Sequence, residues 1–364
     1  MTAQVYQSLA SRVVFGPGAL AGVRAEAEAL GCRRMLVICT RSQEGAARRA
    51  LELLGPVGAE VFPGAAMHTP VEVTEAAMKL VEGERVDGLL AIGGGSAIGL
   101  GKAIALRTDL PQIVAPSTYA GSELTPVLGQ TEAGRKTTQR SPKVLPETVI
   151  YDVDLSLSLP VSVSLTSGFN AMAHGAEALY AEHPNPLLFS AAEEAVRLMA
   201  HALPRIVIAP QDRAARTAAL EAAWLGGWSL ANGGSGLHHR LCHILGGAFG
   251  LPHAETHTIL LPHVLAYNAP EVPEAMARLS RALGAPYPAD ALHDLAQSLG
   301  APAALKDIGM PRDGVERAVA TAIEQGGWNP RSLDKAALER MLRRAWAGER
   351  PRIERTVRER LSSL

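Results

Sequence analysis

Leu89–Ser96 reads LLAIGGGS and runs on through residues 97–106 as AIGLGKAIAL. An apolar run meets three glycines and a serine, and helical spacing follows over roughly Ala97–Arg107. That order predicts a strand, a tight turn and a helix. Glycines let backbone approach an anion closely, and a helix N-terminus offers free N–H groups and a favourable dipole. Gly94, Gly95 and Ser96 are therefore candidate phosphate ligands, although Ser96 could cap the helix instead. The spacing fits neither GxGxxG nor the P-loop, because Lys102 lies too far on and lacks a following Ser or Thr. A plain strand–helix turn accounts for the same residues.

Working outward, Arg12–Phe15, Met35–Cys39, Glu60–Phe62, Gly88–Ile92, Ile113–Ala115 and Thr148–Tyr151 read as strands. Helical patterns at about Ala19–Leu30, Glu44–Leu54 and Val71–Glu84 separate them. Apolar strands without alternation, interleaved with helices, predict a mostly parallel, doubly wound sheet covered on both faces. Pro126–Thr131 and Lys136–Gln139 flank Ala133–Gly134 as a hairpin. Beyond Asp154 the texture changes: Leu155–Pro160 reads as a linker, and helical periodicity then dominates, as in Ala191–Leu203, Ala214–Leu230, Pro273–Leu283 and Asp334–Trp346. The expected organisation is an α/β domain over 1–155 and an all-α domain over 156–364.

With 364 residues, 47% hydrophobic and 20% charged, two cores are expected and disorder is not. A net charge of −1 argues against a nucleic acid or an anionic membrane as partner. Cys32, Cys39 and Cys242 form no disulfide framework, which points to a reducing cytoplasm. Neither a leader nor a bilayer-length apolar run is expected.

Two further clusters carry chemistry. The strand at Ile113–Ala115 ends in APSTYAGSELT, which sets Ser117, Thr118, Ser122 and Thr125 at the sheet edge where doubly wound folds bind ligands. Residues 237–257 read LHHRLCHILGGAFGLPHAETH. His239 and His243 stand one helical turn apart, and His253 comes after a glycine-containing turn. Such imidazoles can ligate a metal, transfer protons or bind an anion. Cys242 reads as a buried structural thiol, while His68, His201 and His263 have no partner pattern.

Together the strings GGGSAIGLGKAIALRT, TYAGSELTPVLGQTEAGRKTTQRSPKVLP, TVIYDVDL, SGFNAMAHGAEALYA and HHRLCHILGGAFGLPHAETHT resemble the iron-containing (group III) alcohol dehydrogenases. They are most similar to the branch that reduces maleylacetate. The resemblance implies the dehydroquinate synthase-like fold, a nicotinamide cofactor, a homodimer and an active site in the cleft between the domains. It places the pyrophosphate on Gly94, Gly95 and Ser96, further cofactor contacts on Ser117, Thr118 and Thr125, and Lys136 near the nicotinamide ribose. The family's metal positions fall on Asn170, His174, His239 and His253, and His243 matches a proton-transfer histidine beside the nicotinamide.

Two departures stand out. The family's metal-binding aspartate is Asn170, which replaces a charged ligand by a dipole, so the metal is expected to be lost or loosely held. Gly99 stands where the glycine motif usually has aspartate. After the strand MLVIC the chain has Thr40–Arg41 and no carboxylate to select the ribose hydroxyl, so NADH and NADPH are both expected to be accepted. The expected substrate is a small dicarboxylate, with His243 as general acid and His174, His239, His253 and Asn170 binding a carboxylate or polarising the ketone. Two alternatives are a metal-dependent alcohol dehydrogenase and a nucleotide-binding protein without catalysis.

Overall fold

The computed structural model describes residues 8, 9, 11–132 and 135–352, the side chains of Arg135 and Lys136 excepted. The chain divides into two compact units, Met1–Pro160 and Val161–Leu364. In the first, strands β1 (Arg12–Gly16), β2 (Met35–Ile38), β3 (Gly58–Phe62), β4 (Gly88–Gly93), β5 (Gln112–Pro116) and β8 (Thr148–Asp152) form one sheet in the order β1-β8-β5-β4-β2-β3. Every pairing in it is parallel. Helices α1 (Val23–Ala29), α2 (Glu44–Leu54), α3 (Val71–Gly83) and α4 (Gly95–Thr108) cover it. The residues of β2 show why its sequence does not alternate. Met35 and Val37 pack with α1 and α2 on one face, whereas Leu36 and Ile38 pack with α3 and α4 on the other. Both faces are apolar because both are covered, and each such side chain contributes about 1.5–3 kcal/mol.

The chain leaves β2 toward β3 at one edge and leaves β4 toward β5 on the opposite side. The carboxyl ends of β2 and β4 are therefore neighbours at a topological switch point, where doubly wound folds take ligands. Strands β6 (Val127–Glu132) and β7 (Arg135–Arg140) pair antiparallel as a separate hairpin. Leu155–Pro160, which its sequence marks as a short linker, ends the first unit and is anchored to it. Helix α5 (Val153–Ser156) begins on an Asp152 carboxylate that accepts from the backbone N–H groups of Asp154, Gly18 and Leu20, each at 2.9 Å. Leu155, Ser156 and Leu159 are consequently buried.

The second unit is helical among its described residues. Its site-bearing helices are α6 (Val161–Ala178), α9 (Leu237–Phe249) and α10 (His253–Asn268); α7 (Pro186–Ile208) and α8 (Arg213–Gly233) pack on α6. Helices α11 (Pro273–Leu283), α12 (Pro288–Ser298), α13 (Gly314–Gln325) and α14 (Lys335–Ala347) complete it. Residues 164–178 of α6 and 256–268 of α10 are buried without interruption. Polar residues on such helices are costly unless satisfied, which makes their histidines informative. No described helix is long and apolar enough to cross a membrane.

Candidate active site

In the first unit the glycine turn has the build of an anion site. Gly93 has φ 134°, a backbone that L side chains rarely adopt. Gly94 is the N-cap of α4 and supplies no side-chain cap, and its carbonyl accepts from Ala97 and Ile98 N–H at 3.1 and 3.2 Å. Ser96 thus lies inside the first turn and is not the cap, contrary to one of its sequence-based roles. A Cβ on Gly94 would come within 2.8 Å of Thr118 Cγ2 and 3.2 Å of Thr118 Oγ1, whereas a Cβ on Gly95 would meet nothing within 4 Å. Thr118 therefore lies over one glycine while the other opens to space. The hydroxyls of Thr118 and Ser122 are buried and have no hydrogen-bond partner among the described residues. Uncapped N–H groups beside unpartnered hydroxyls fit the phosphates of a dinucleotide.

The remaining cofactor candidates are placed differently. Ser117 is buried, and its N–H donates to Gly93 O at 3.0 Å, tying β5 to the glycine turn. Thr125 is committed internally: its hydroxyl donates to Ser122 O at 3.0 Å and accepts from Lys102 Nζ at 3.1 Å. Thr40 follows β2 at the switch point, half-buried, with its Oγ1 2.9 Å from Ser42 Oγ. Arg41 is exposed. The Lys136 side chain lies outside the described residues. Gly99 is explained by Thr69, whose Oγ1 would sit 2.3 Å from a Cβ at that position.

In the second unit, Asn170, His174 and Glu177 lie at i, i+4 and i+7 on α6 and so share one face. Glu177 organises the cluster. Its buried carboxylate accepts from the N–H groups of Gly236 and His238 at 3.0 and 2.8 Å, at the N-terminus of α9. It also meets His239 Nδ1 at 2.5 Å. Burial opposes its ionisation, but His239, His238 and these N–H donors prevail and hold its pKa at about 2. With Nδ1 engaged, His239 presents Nε2, a buried nitrogen with no partner among the described residues.

The other rings gather around it. His174 stacks on His239 at 5.0 Å between centroids. His257, fully buried, stands edge-on to His238 and His239 at 4.8 Å each and to His253 at 4.4 Å. His238 Nε2 and His257 Nδ1 share a hydrogen bond of 2.9 Å. Desolvation keeps His174 and His257 neutral, with pKa values well below the usual histidine range, and takes His238 down to about 3. His243 and His253 are exposed and stack at 5.9 Å, with an interplanar angle of 12°. The array therefore passes from an accessible pair to a buried, neutral group. Spacing did not single out Glu177, His238 or His257. Glu177 continues the Asn170–His174 face by one more turn, and His257 lies one turn beyond His253, so helical periodicity held the signal for both.

At the positions the family pattern indicates, His174 Nδ1 and His239 Nε2 are buried and have no hydrogen-bond partner among the described residues. Among the described residues, one trio of His, Cys or carboxylate ligand atoms falls within 4.8 Å, and it is His238, Cys242 and His257, not His174, His239 and His253. Its members are engaged with one another: Cys242 Sγ lies 3.8 Å from His238 Nε2, and burial pushes the thiol well above its usual pKa. At the family positions Asn170 supplies an amide and no charge, and Glu177, the one buried carboxylate of the cluster, is turned to His239 and the α9 N-terminus.

A doubly wound nucleotide-type unit and a helical unit with a buried histidine cluster define a dehydrogenase class, and sequence comparison makes it specific. The iron-containing alcohol dehydrogenase family model matches residues 10–153, and the C-terminal model of the Fe-containing alcohol dehydrogenase family matches residues 164–346. The chain is 50% identical to a maleylacetate reductase of Rhizobium sp. (strain MTP-10005), over 95% of this chain and 99% of that one. It is 48% identical to the maleylacetate reductase of Sphingobium indicum, covering 95% and 98%. The crystal structure of maleylacetate reductase from Agrobacterium tumefaciens superposes with a TM-score of 0.92 at 49% identity, covering 96% of this chain and all of the other. The chain belongs to the iron-containing alcohol dehydrogenase family.

Proposed function

We propose that this chain reduces maleylacetate to 3-oxoadipate with NADH or NADPH, by conjugate hydride addition completed by histidine acid catalysis. The observation that carries the reading is the histidine array: an accessible His243–His253 pair backed by neutral buried imidazoles, with an amide at Asn170. The names of its relatives at 43–50% identity supply the substrate. Gly94, Gly95, Ser96 and Thr118 would hold the dinucleotide, which when bound supplies the hydride. Thr40 and Arg41 place no carboxylate against a ribose 2′-phosphate.

Maleylacetate carries two carboxylates and a ketone conjugated to a C=C bond. Hydride adds to the alkene carbon β to the ketone, the π electrons move toward the ketone oxygen, and the enolate takes a proton on the carbon α to the ketone. One hydride and one proton are consumed, giving the saturated oxo-diacid. His243 delivers the proton from its accessible position one turn beyond His239. His253 bonds a substrate carboxylate, and His239, oriented by Glu177, polarises the ketone oxygen. Replacing an aspartate by Asn170 removes a charge that would repel a dianion. Buried free thiols at all three cysteines support a reducing cytoplasmic setting, and the family resemblance supports a homodimer.

The test monitors NADH and NADPH oxidation by maleylacetate with EDTA present. Sustained turnover is expected. Loss of turnover to EDTA, with oxidation of simple alcohols restored by a divalent metal, would favour the metal-dependent alcohol dehydrogenase instead.

A further inference from the structure

Helix α4 does more than open on the glycine turn. Two turns into it Lys102 is 2% exposed, on a stretch that is otherwise apolar. Its ammonium donates to Ser122 O and Thr125 O at 2.6 Å each, to Val127 O at 3.0 Å and to Thr125 Oγ1 at 3.1 Å. No carboxylate is among these contacts. The chain from Ser122 to Val127 is wound about a buried cation by its own carbonyl oxygens. From the other side Glu123, also buried, is held by the hydroxyl of Tyr151, which donates to Oε1 at 2.8 Å. The hydroxyl-rich turn is thus fixed at three carbonyls and one side chain, and the Ser122 hydroxyl has no hydrogen-bond partner among the described residues.

We propose that Lys102 is a positioning residue for the dinucleotide, an internal cation that sets the Ser122–Val127 turn against the N-terminus of α4 without touching the cofactor. The inference rests on the nicotinamide cofactor of the proposed function. Its physical basis is that one helix carries both the free N–H groups of Gly95 and Ser96 and the cation that holds the neighbouring hydroxyl turn. The ammonium supplies what three carbonyls converging in an apolar interior require; without it they would splay apart or admit water. Burial draws its pKa down to about 7, against an opposing influence from Glu123, so the ammonium form prevails below that pH and the binding comparison is made there. Thr125 fits this account, because its hydroxyl is spent on Lys102 and Ser122 O and has no proton left for a phosphate.

The test is direct binding of NADH, read from the change in its own fluorescence without substrate, to the full chain and to Lys102→Met. The variant keeps the length of the side chain and removes the charge. The dissociation constant for NADH should rise on the order of tenfold, with kcat at saturating NADH within about twofold of the parent, a split expected when only the cofactor's seat is disturbed. An unchanged dissociation constant in a folded Lys102→Met protein overturns the proposal. If that variant does not fold, Thr125→Val and Thr125→Ser decide: the valine should weaken NADH binding and the serine should restore it, and equal binding by both overturns the proposal. Failure of the parent protein to bind NADH or NADPH would overturn the nicotinamide reading itself, and this inference with it.

Discussion

Glu177 and His243 occupy opposite ends of the histidine array, one fully buried and one exposed, and substitution separates their roles. Glu177→Gln keeps the size but places an NH₂ group against donors: Gly236 N–H, His238 N–H and His239 Nδ1. One of them must lose its acceptor, and His239 is the one free to change tautomer. Turnover should fall about 10–100-fold, the range seen when the partner orienting a functional histidine is lost, with NADH affinity unchanged. His243→Ala should cost more, on the order of 10²–10⁴ in kcat as for a general acid, again with cofactor binding intact. Stopped-flow or steady-state kinetics beside an NADH titration checks both, and full turnover by His243→Ala would sink the proton-transfer assignment. The candidate histidines His174, His239, His243 and His253, whose rings the fold brings together, were the most legible in the sequence, because four histidines at matched spacings are rare by chance. Glu177 was not, since a lone glutamate in GAEALYA reads as a solvated helix residue until the fold buries it.

At the scale of elements, the first unit was legible because its strands are short and apolar, and β1, β3, β4 and β5 are bounded by glycine or proline. The period-2 pattern of β2 is real but hidden, both of its faces being apolar. Helix α10 failed to advertise itself for the equivalent reason: a helix buried on all sides has no polar stripe to set its period. Contacts between helices were beyond reach of the sequence, and the glycines of α6 and α8 show why. A Cβ at Gly226 of α8 would lie 2.8 Å from Ala171 O and 3.7 Å from His174 Cβ, so the two backbones pass close beside the site. Gly226→Ala gains about 1 kcal/mol in helix propensity but forces a backbone contact apart, which typically costs about 1–3 kcal/mol. Since Ala171 O is part of a helix that cannot yield alone, the clash should win. The urea midpoint should fall and turnover should drop with it through displacement of His174. A midpoint raised above that of the parent would show that the helices have room to separate.

For the helical unit as a whole, burying so many imidazoles has a consequence in its response to acid. His174 and His257 are held well below the ordinary histidine pKa, and His238 and His263 lie at about 3, burial being the largest cause in each case. In the unfolded chain all four would titrate near the ordinary value of about 6.5. Below that pH the unfolded state binds more protons than the folded one, so stability falls as pH falls, by about 1.4 kcal/mol per pH unit for each histidine fully in this regime. Glu177 acts in a lower window. Its folded pKa is depressed to about 2, so its contribution is whole above the unfolded carboxylate value and is lost as the pH falls from there toward 2. Acid lability should therefore begin near pH 6.5, about two units above where carboxylates alone would start it. All four tryptophans, Trp224, Trp228, Trp328 and Trp346, lie in the second unit, so their fluorescence tracks its unfolding separately from that of the sheet. Urea midpoints by tryptophan emission should drop steadily from about pH 7 to about pH 5. A midpoint flat across that range would mean that these histidines take up protons in the folded state, and the neutral interior assigned to them would be wrong.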